Sequence, residues 1–281
     1  WKEVPMTYKA ILVHLDLNGD NAGVLSIAGQ LAERFDARVI GIAAAQPVQP
    51  LYEEGYTMMD VVAEDRSELA RELLECRDQF NSALENRVRQ TEWRSAITFQ
   101  TLSEYIADEA RCADLIITGK DIGASLFDNN RRVNIGDLAI RAGRPVLIVP
   151  QGITKLAMRH VFLAWKDARE ARRVAADALP LFETAGHVTV LEVTNEGATA
   201  LADKRVADVA TWLKEHKISS TPLVVGTSSQ HAGYLHAELL NHKCDLLVAG
   251  AYGHNRLGEW FFGGVTQDVL LDPDFCVLLS H

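Results

Sequence analysis

Asp245-Leu246-Leu247-Val248-Ala249-Gly250-Ala251-Tyr252-Gly253 is followed, after nine residues, by Gly263-Gly264-Val265-Thr266. The run from Leu246 to Ala249 is short, continuous and apolar, which is how a strand buried on both faces of a parallel sheet reads. Two glycines leave its tip. Two more precede Val265 to Leu271, a short helix-like stretch, and a last strand is expected over Phe275 to Leu279. Glycines in those places bring backbone close to a bound phosphate, because no Cβ blocks the approach and a helix start presents unpaired N–H groups. The spacing differs from the dinucleotide fingerprint, and the chain has no Gly-Lys-Ser/Thr phosphate loop.

The same strand occurs earlier. Asp114-Leu115-Ile116-Ile117-Thr118-Gly119 stands 131 residues before Asp245 to Gly250, and Val146-Leu147-Ile148 stands 131 before Val277-Leu278-Leu279. Nearer the start of each half the offset is 150, which sets Tyr8 to Val13 beside Met158 to Leu163. An amphipathic helix follows each of those strands. Its inner face is Val24, Ile27, Leu31 and Phe35 in the first half, and Ala171, Val174, Ala178 and Phe182 in the second. Further strands are expected over Arg38 to Ala43 and over His187 to Val193.

The two offsets differ by 19 residues, which the first half carries in a helical insertion around 51–91. Leu69, Leu73, Cys76, Phe80, Leu84 and Val88 recur there at helical spacing. Each half therefore alternates strand and helix through five strands, a pattern that requires a parallel sheet with helices on both faces. The expected class is α/β, with two tandem doubly wound, Rossmann-like sheets. Domain one spans residues 6–151 and domain two residues 156–281, with the boundary near Pro150-Gln151-Gly152. Met6 reads as a natural start, with five residues ahead of it.

Composition bounds the function. The 281 residues are 48% hydrophobic and 23% charged, a globular profile, with a formal net charge of −10. That charge disfavours nucleic acid and anionic membrane as partners. No apolar run approaches the roughly 20 residues of a membrane span. The opening residues show no secretory core, and four scattered cysteines without a CxxC pair suit a reduced, cytoplasmic setting.

On these residues the chain resembles the universal stress protein family in its tandem, two-domain form. The family's ATP motif, Gly-x2-Gly-x9-Gly, is matched by Gly250, Gly253 and Gly263. Gly264 departs from the usual Ser or Thr, and Val265-Thr266 agree. The resemblance implies an adenine-nucleotide alpha-hydrolase-like fold. It also implies ATP or ADP, with Mg²⁺, held as a regulatory ligand of the stress response. Gly263, Gly264, Val265 and Thr266 would hold the phosphates, and Ala249, Gly250 and Gly253 would lie along ribose and phosphates. Val193 matches the adenine-contacting strand. At the tip of the strand that ends in Ala164, the family's Asp is replaced by Lys166, with Asp167 next. The final strands of the two halves would pair edge to edge as an internal pseudo-dimer, and a homodimer is a further expectation.

The first half keeps Asp16 and Gly119, but Ile122, Arg132 and Val133 stand at the other glycine positions, so it reads as unable to bind nucleotide. A structural or partner-binding role fits it, with an apolar ligand under the insertion as one option. No residue set supports efficient catalysis. His254, Asn255 and Arg256 lie in the nine-residue loop, which allows at most weak ATP hydrolysis. Trp260-Phe261-Phe262 reads as a packing cluster. His231, His236, His242 and Cys244 have poor spacing for zinc and read as surface histidines with a packed thiol. The rival to nucleotide binding is a nucleotide-free scaffold.

Overall fold

In the computed structural model, the described residues are 7–17, 19–48, 59–120, 132–228, 231–251 and 275–281. The first half contributes β1 (Ala10–His14), α1 (Ala22–Phe35), β2 (Arg38–Ala45), α2 (Met59–Leu84), β3 (Thr91–Ile97), α3 (Leu102–Glu109), β4 (Leu115–Gly119), α4 (Ile135–Arg141) and β5 (Val146–Val149). The second contributes β6 (His160–Ala164), α5 (Arg169–Asp177), α6 (Leu179–Phe182), β7 (His187–Asn195), α7 (Thr199–Glu215), β8 (Ser220–Thr227), α8 (His231–Asn241), β9 (Leu246–Gly250) and β10 (Cys276–Ser280).

All ten described strands form a single sheet in the order β3-β2-β1-β4-β5-β10-β9-β6-β7-β8. Pairing is parallel throughout each half and antiparallel only between β5 and β10, where Ile148 faces Val277 and Val146 faces Leu279. This is the edge-to-edge pairing that the sequence led us to expect. Because β5 and β10 run in opposite directions, the carboxyl ends of the two sets of strands lie along opposite edges of the sheet. The reversal of strand order falls between β1 and β4 in one half and between β6 and β9 in the other. Open α/β sheets hold their ligands at such points.

Alternation along the strands divides the core in two. Ile11, Val13, Val161, Leu163 and Leu278 belong to a cluster on one face, and Leu12, Phe162, Ile148 and Leu279 to a cluster on the other. Each cluster runs through both halves. Direct bonds also join the halves: Tyr8 Oη donates to the Asp177 carbonyl at 2.6 Å, and Arg34 Nη1 to Thr184 Oγ1 at 3.1 Å.

One expectation needs revision. The helix expected through Ala171, Val174, Ala178 and Phe182 is broken into α5 and α6. Pro180 supplies no N–H and its ring opposes the carbonyl four residues back, so the helix stops before it and restarts. Beneath α2 the packing is tight around Phe80. Its ring is packed on Trp93 at a centroid distance of 5.4 Å. A Cβ on Gly41 would lie only 2.6 Å from the Phe80 ring.

Candidate functional site

At the reversal point of the second half, Ala164 on β6 pairs with Ala249 on β9 and with Leu191 on β7. Val193 stands two residues further along β7. Gly250 and Ala251 continue β9, and the Ala251 N–H donates to the Ser280 carbonyl at 2.8 Å. Ala164, Val193, Ala249 and Ala251 are all buried. Six of the residues expected to bind nucleotide thus meet at one carboxyl edge: Ala164, Lys166, Asp167, Val193, Ala249 and Gly250. Gly253, Gly263, Gly264, Val265 and Thr266 lie outside the described residues, as do His254 to Arg256 and Trp260 to Phe262.

The connection from β6 to α5 is Trp165 to Ala168, with Lys166 and Asp167 exposed. Asp167 accepts from Arg172, and Arg205 grips the Glu192 carboxylate with Nε (3.1 Å) and Nη2. Side-chain hydrogen bonds and the charge of Glu192 hold the Arg205 guanidinium in its charged form. Gly250 has a packing reason of its own. A Cβ there would fall 2.6 Å from the Glu170 carbonyl carbon and 2.7 Å from the Ala171 nitrogen, so its missing side chain lets α5 rest on the tip of β9.

The first half has a cleft at the matching place. It has a volume of about 240 Å³ and is bounded by the ends of β1, β4 and β5 and the start of α1. His14 and Thr118 form its floor, with Asp16, Asp20, Lys120 and Arg132 around them. His14 Nδ1 and Thr118 Oγ1 are 3.0 Å apart, both residues being buried. Burial pushes the His14 pKa down to about 4, against a smaller upward pull from the Asp16 charge, so the ring is neutral at pH 7.

The wall of this cleft is braced. Asn21 Oδ1 accepts from the Asp16 N–H at 2.9 Å, and Asn21 Nδ2 donates to the Asp16 carbonyl at 2.8 Å. The same amide reaches Gln79 Oε1 on α2 at 3.2 Å. Sequence reading singled out Asp16, Arg132 and Gly119 but missed His14, Thr118 and Asn21. The signal was present: at the repeat offsets, His14 stands opposite Ala164 and Thr118 opposite Ala249, two polar side chains against two methyl groups.

No family model matches the chain, and neither does any curated protein. Solved structures do. A universal stress protein from Archaeoglobus fulgidus superposes with a TM-score of 0.70 at 16% identity, covering 96% of this chain and 97% of that one. A functionally unknown protein from Pseudomonas aeruginosa gives 0.61 at 15% identity, covering 97% and 92%. The fold is that of a tandem universal stress protein.

Within this universal stress protein fold the thiols are mostly packing groups. Cys76, Cys244 and Cys276 are buried and Cys112 is exposed. Burial pushes the Cys76 thiol up to about 11 and the Cys276 thiol up to about 12, and raises Cys244 as well. His242 pairs with Glu238 at 3.4 Å and lies 5.9 Å from the Phe162 ring. Among the described residues no three His, Cys, Asp or Glu side chains cluster in a way that could hold a metal ion, and no helix is long and apolar enough to cross a membrane.

Proposed function

We propose that this protein binds ATP in its second half and uses it as a regulatory ligand in a cytoplasmic stress response, with the first half free of nucleotide. The observation that carries this reading is the contrast between the two floors. At the reversal point of the second half, Ala164, Ala249, Gly250 and Ala251 present no polar side chain. The first half places His14, Thr118 and Lys120 at the matching points. An apolar floor suits a flat base and ribose, which are ordered by packing and by backbone groups rather than by side-chain charge. The glycines at 253, 263 and 264 then supply the phosphate cradle that the sequence motif implies.

Bound Mg²⁺ would be carried chiefly by the phosphates, since it keeps most of its water shell and takes few protein ligands. Asp167, the acid group of the β6–α5 connection, already bonds Arg172. Lys166, beside it, would meet phosphate charge directly.

The test is to denature the purified protein and identify the small molecules released, then to titrate the emptied protein with Mg-ATP by calorimetry. ATP or ADP near one per chain is the expected result, with binding abolished by Gly263→Val. An empty protein that gives no heat with Mg-ATP refutes the reading in favour of a nucleotide-free scaffold. Phosphate release above the background of the Gly263→Val variant would make the protein a slow ATPase instead.

A further inference from the structure

We infer that His281 is a positioning residue of the second half: its ring pins the Ala251 carbonyl, and with it the point from which the chain leaves β9 for the glycine motif. The inference deepens the ATP reading. Only its affinity measurement rests on that reading.

The contacts fix where the ring carries its proton. Ala251 is fully buried, so its carbonyl needs a donor. His281 Nδ1 stands 3.0 Å from that oxygen. A carbonyl only accepts, so Nδ1 bears the hydrogen. On the other side of the ring, Nη2 of Arg169 at the start of α5 stands 3.4 Å from Nε2. A guanidinium only donates, so Nε2 is bare. Both contacts hold together in one form alone, the neutral ring with its proton on Nδ1. Arg169 thus selects the tautomer that grips Ala251.

The support behind the ring is firm. Ser280 and His281 hold both backbone groups of Ala251, since the Ala251 N–H donates to the Ser280 carbonyl at 2.8 Å. Ser280 Oγ donates to Asp177 Oδ2 at 2.6 Å, and Arg173 Nε donates to the same oxygen at 2.9 Å. Helix α5 therefore steadies the end of β10 through Asp177 and the ring through Arg169. A cradle made of backbone binds only when its N–H groups are held in place by the shell behind them.

The first half has the same strand end without the ring. At the 131-residue offset, Lys120 stands opposite Ala251, Val149 opposite Ser280 and Pro150 opposite His281. The backbone bond is kept, from the Lys120 N–H to the Val149 carbonyl at 3.0 Å. The side-chain bond is lost, because the Pro150 ring has no polar atom. A residue needed merely to finish the sheet would be needed in both halves. The ring is present only in the half that carries the glycine motif.

The experiment uses the full chain, and its first two readouts need no ligand. Nitrogen NMR of the wild type should show His281 protonated on Nδ1 and bare on Nε2, with Arg169→Met shifting the ring towards the other tautomer. His281→Ala should speed hydrogen exchange of the Ala251 amide at least fivefold, with the urea midpoint unchanged. Titration with Mg-ATP should then show His281→Ala binding at least fivefold more weakly than wild type. His281→Asn, whose amide reaches the place of Nδ1, should recover most of both losses. Three results overturn the inference: an Nε2-protonated ring; Ala251 exchange that is the same in wild type and His281→Ala; or a His281→Asn variant as impaired as His281→Ala. A wild type that binds no Mg-ATP instead refutes the ATP reading, and the tautomer and the exchange rate then decide this inference by themselves.

Discussion

His14 shows how one residue can mark the divergence of two copies of a fold. Its ring is buried and neutral, with a folded pKa near 4 against an ordinary 6.5. A depressed histidine value contributes stability that is fully present above pH ~6.5 and is lost as pH falls through that window towards ~4. We therefore expect urea unfolding to show wild type losing more stability than His14→Ala between pH 7 and pH 4.5. The excess should be up to roughly 3 kcal/mol, since each tenfold loss of proton affinity on folding is worth about 1.4 kcal/mol. A gap between the two proteins that stays constant with pH would mean that the ring is not held neutral. Glycine contrasts the halves equally well. Gly250 has backbone of α5 at 2.6 Å from a would-be Cβ, whereas the nearest atom to Gly119 is a Val24 methyl at 3.8 Å. Gly250→Ala should cost about 1–3 kcal/mol by forcing helix and strand apart. Gly119→Ala should stay within about 0.5 kcal/mol. Equal costs in denaturant titrations would contradict this packing account.

At the scale of elements, the repeat was legible because each half places its strands by the same devices. Asp114 Oδ2 accepts from the Lys9 and Ala10 N–H groups at 2.7 and 3.0 Å, and Asp245 Oδ2 accepts from Arg159 and His160 at 2.7 and 2.9 Å. The carboxylate before β4 thus fixes the entry to β1, and its twin before β9 fixes the entry to β6. Removing either leaves two backbone donors unmet, so Asp114→Ala and Asp245→Ala should each destabilise by about 1–3 kcal/mol, and by similar amounts. A cost confined to one of them would show that the equivalence is only apparent. Strands and the buried stripe of α2 could be read because burial imposes their period. The cleft could not. His14 and Thr118 are 104 residues apart and meet only because β1 and β4 pair in the register Val13 to Ile117. The loop between β1 and α1 is also three residues longer than its counterpart, so a single repeat offset misaligns that stretch.

For the molecule as a whole, the antiparallel join of β5 and β10 decides how the halves behave. It turns two five-stranded sheets into one and hides two apolar edges that would otherwise pair with other chains. Both core clusters continue across it, so the halves share packed core. The intact chain should then unfold in one transition, with Trp93 of the first half and Trp165 of the second reporting the same midpoint as far-UV ellipticity. Leu278 faces Leu147 across the join and is fully buried. Leu278→Ala removes packing from the seam itself and should cost about 2–5 kcal/mol. Its signature is coupling: the midpoints reported by Trp93 and Trp165, each read in a chain with the other tryptophans replaced by phenylalanine, should fall together. If only the Trp165 signal moved, the halves would be independent units that share an edge. The two carboxyl edges of the sheet would then have no shared packed core through which a ligand at one could stiffen the other.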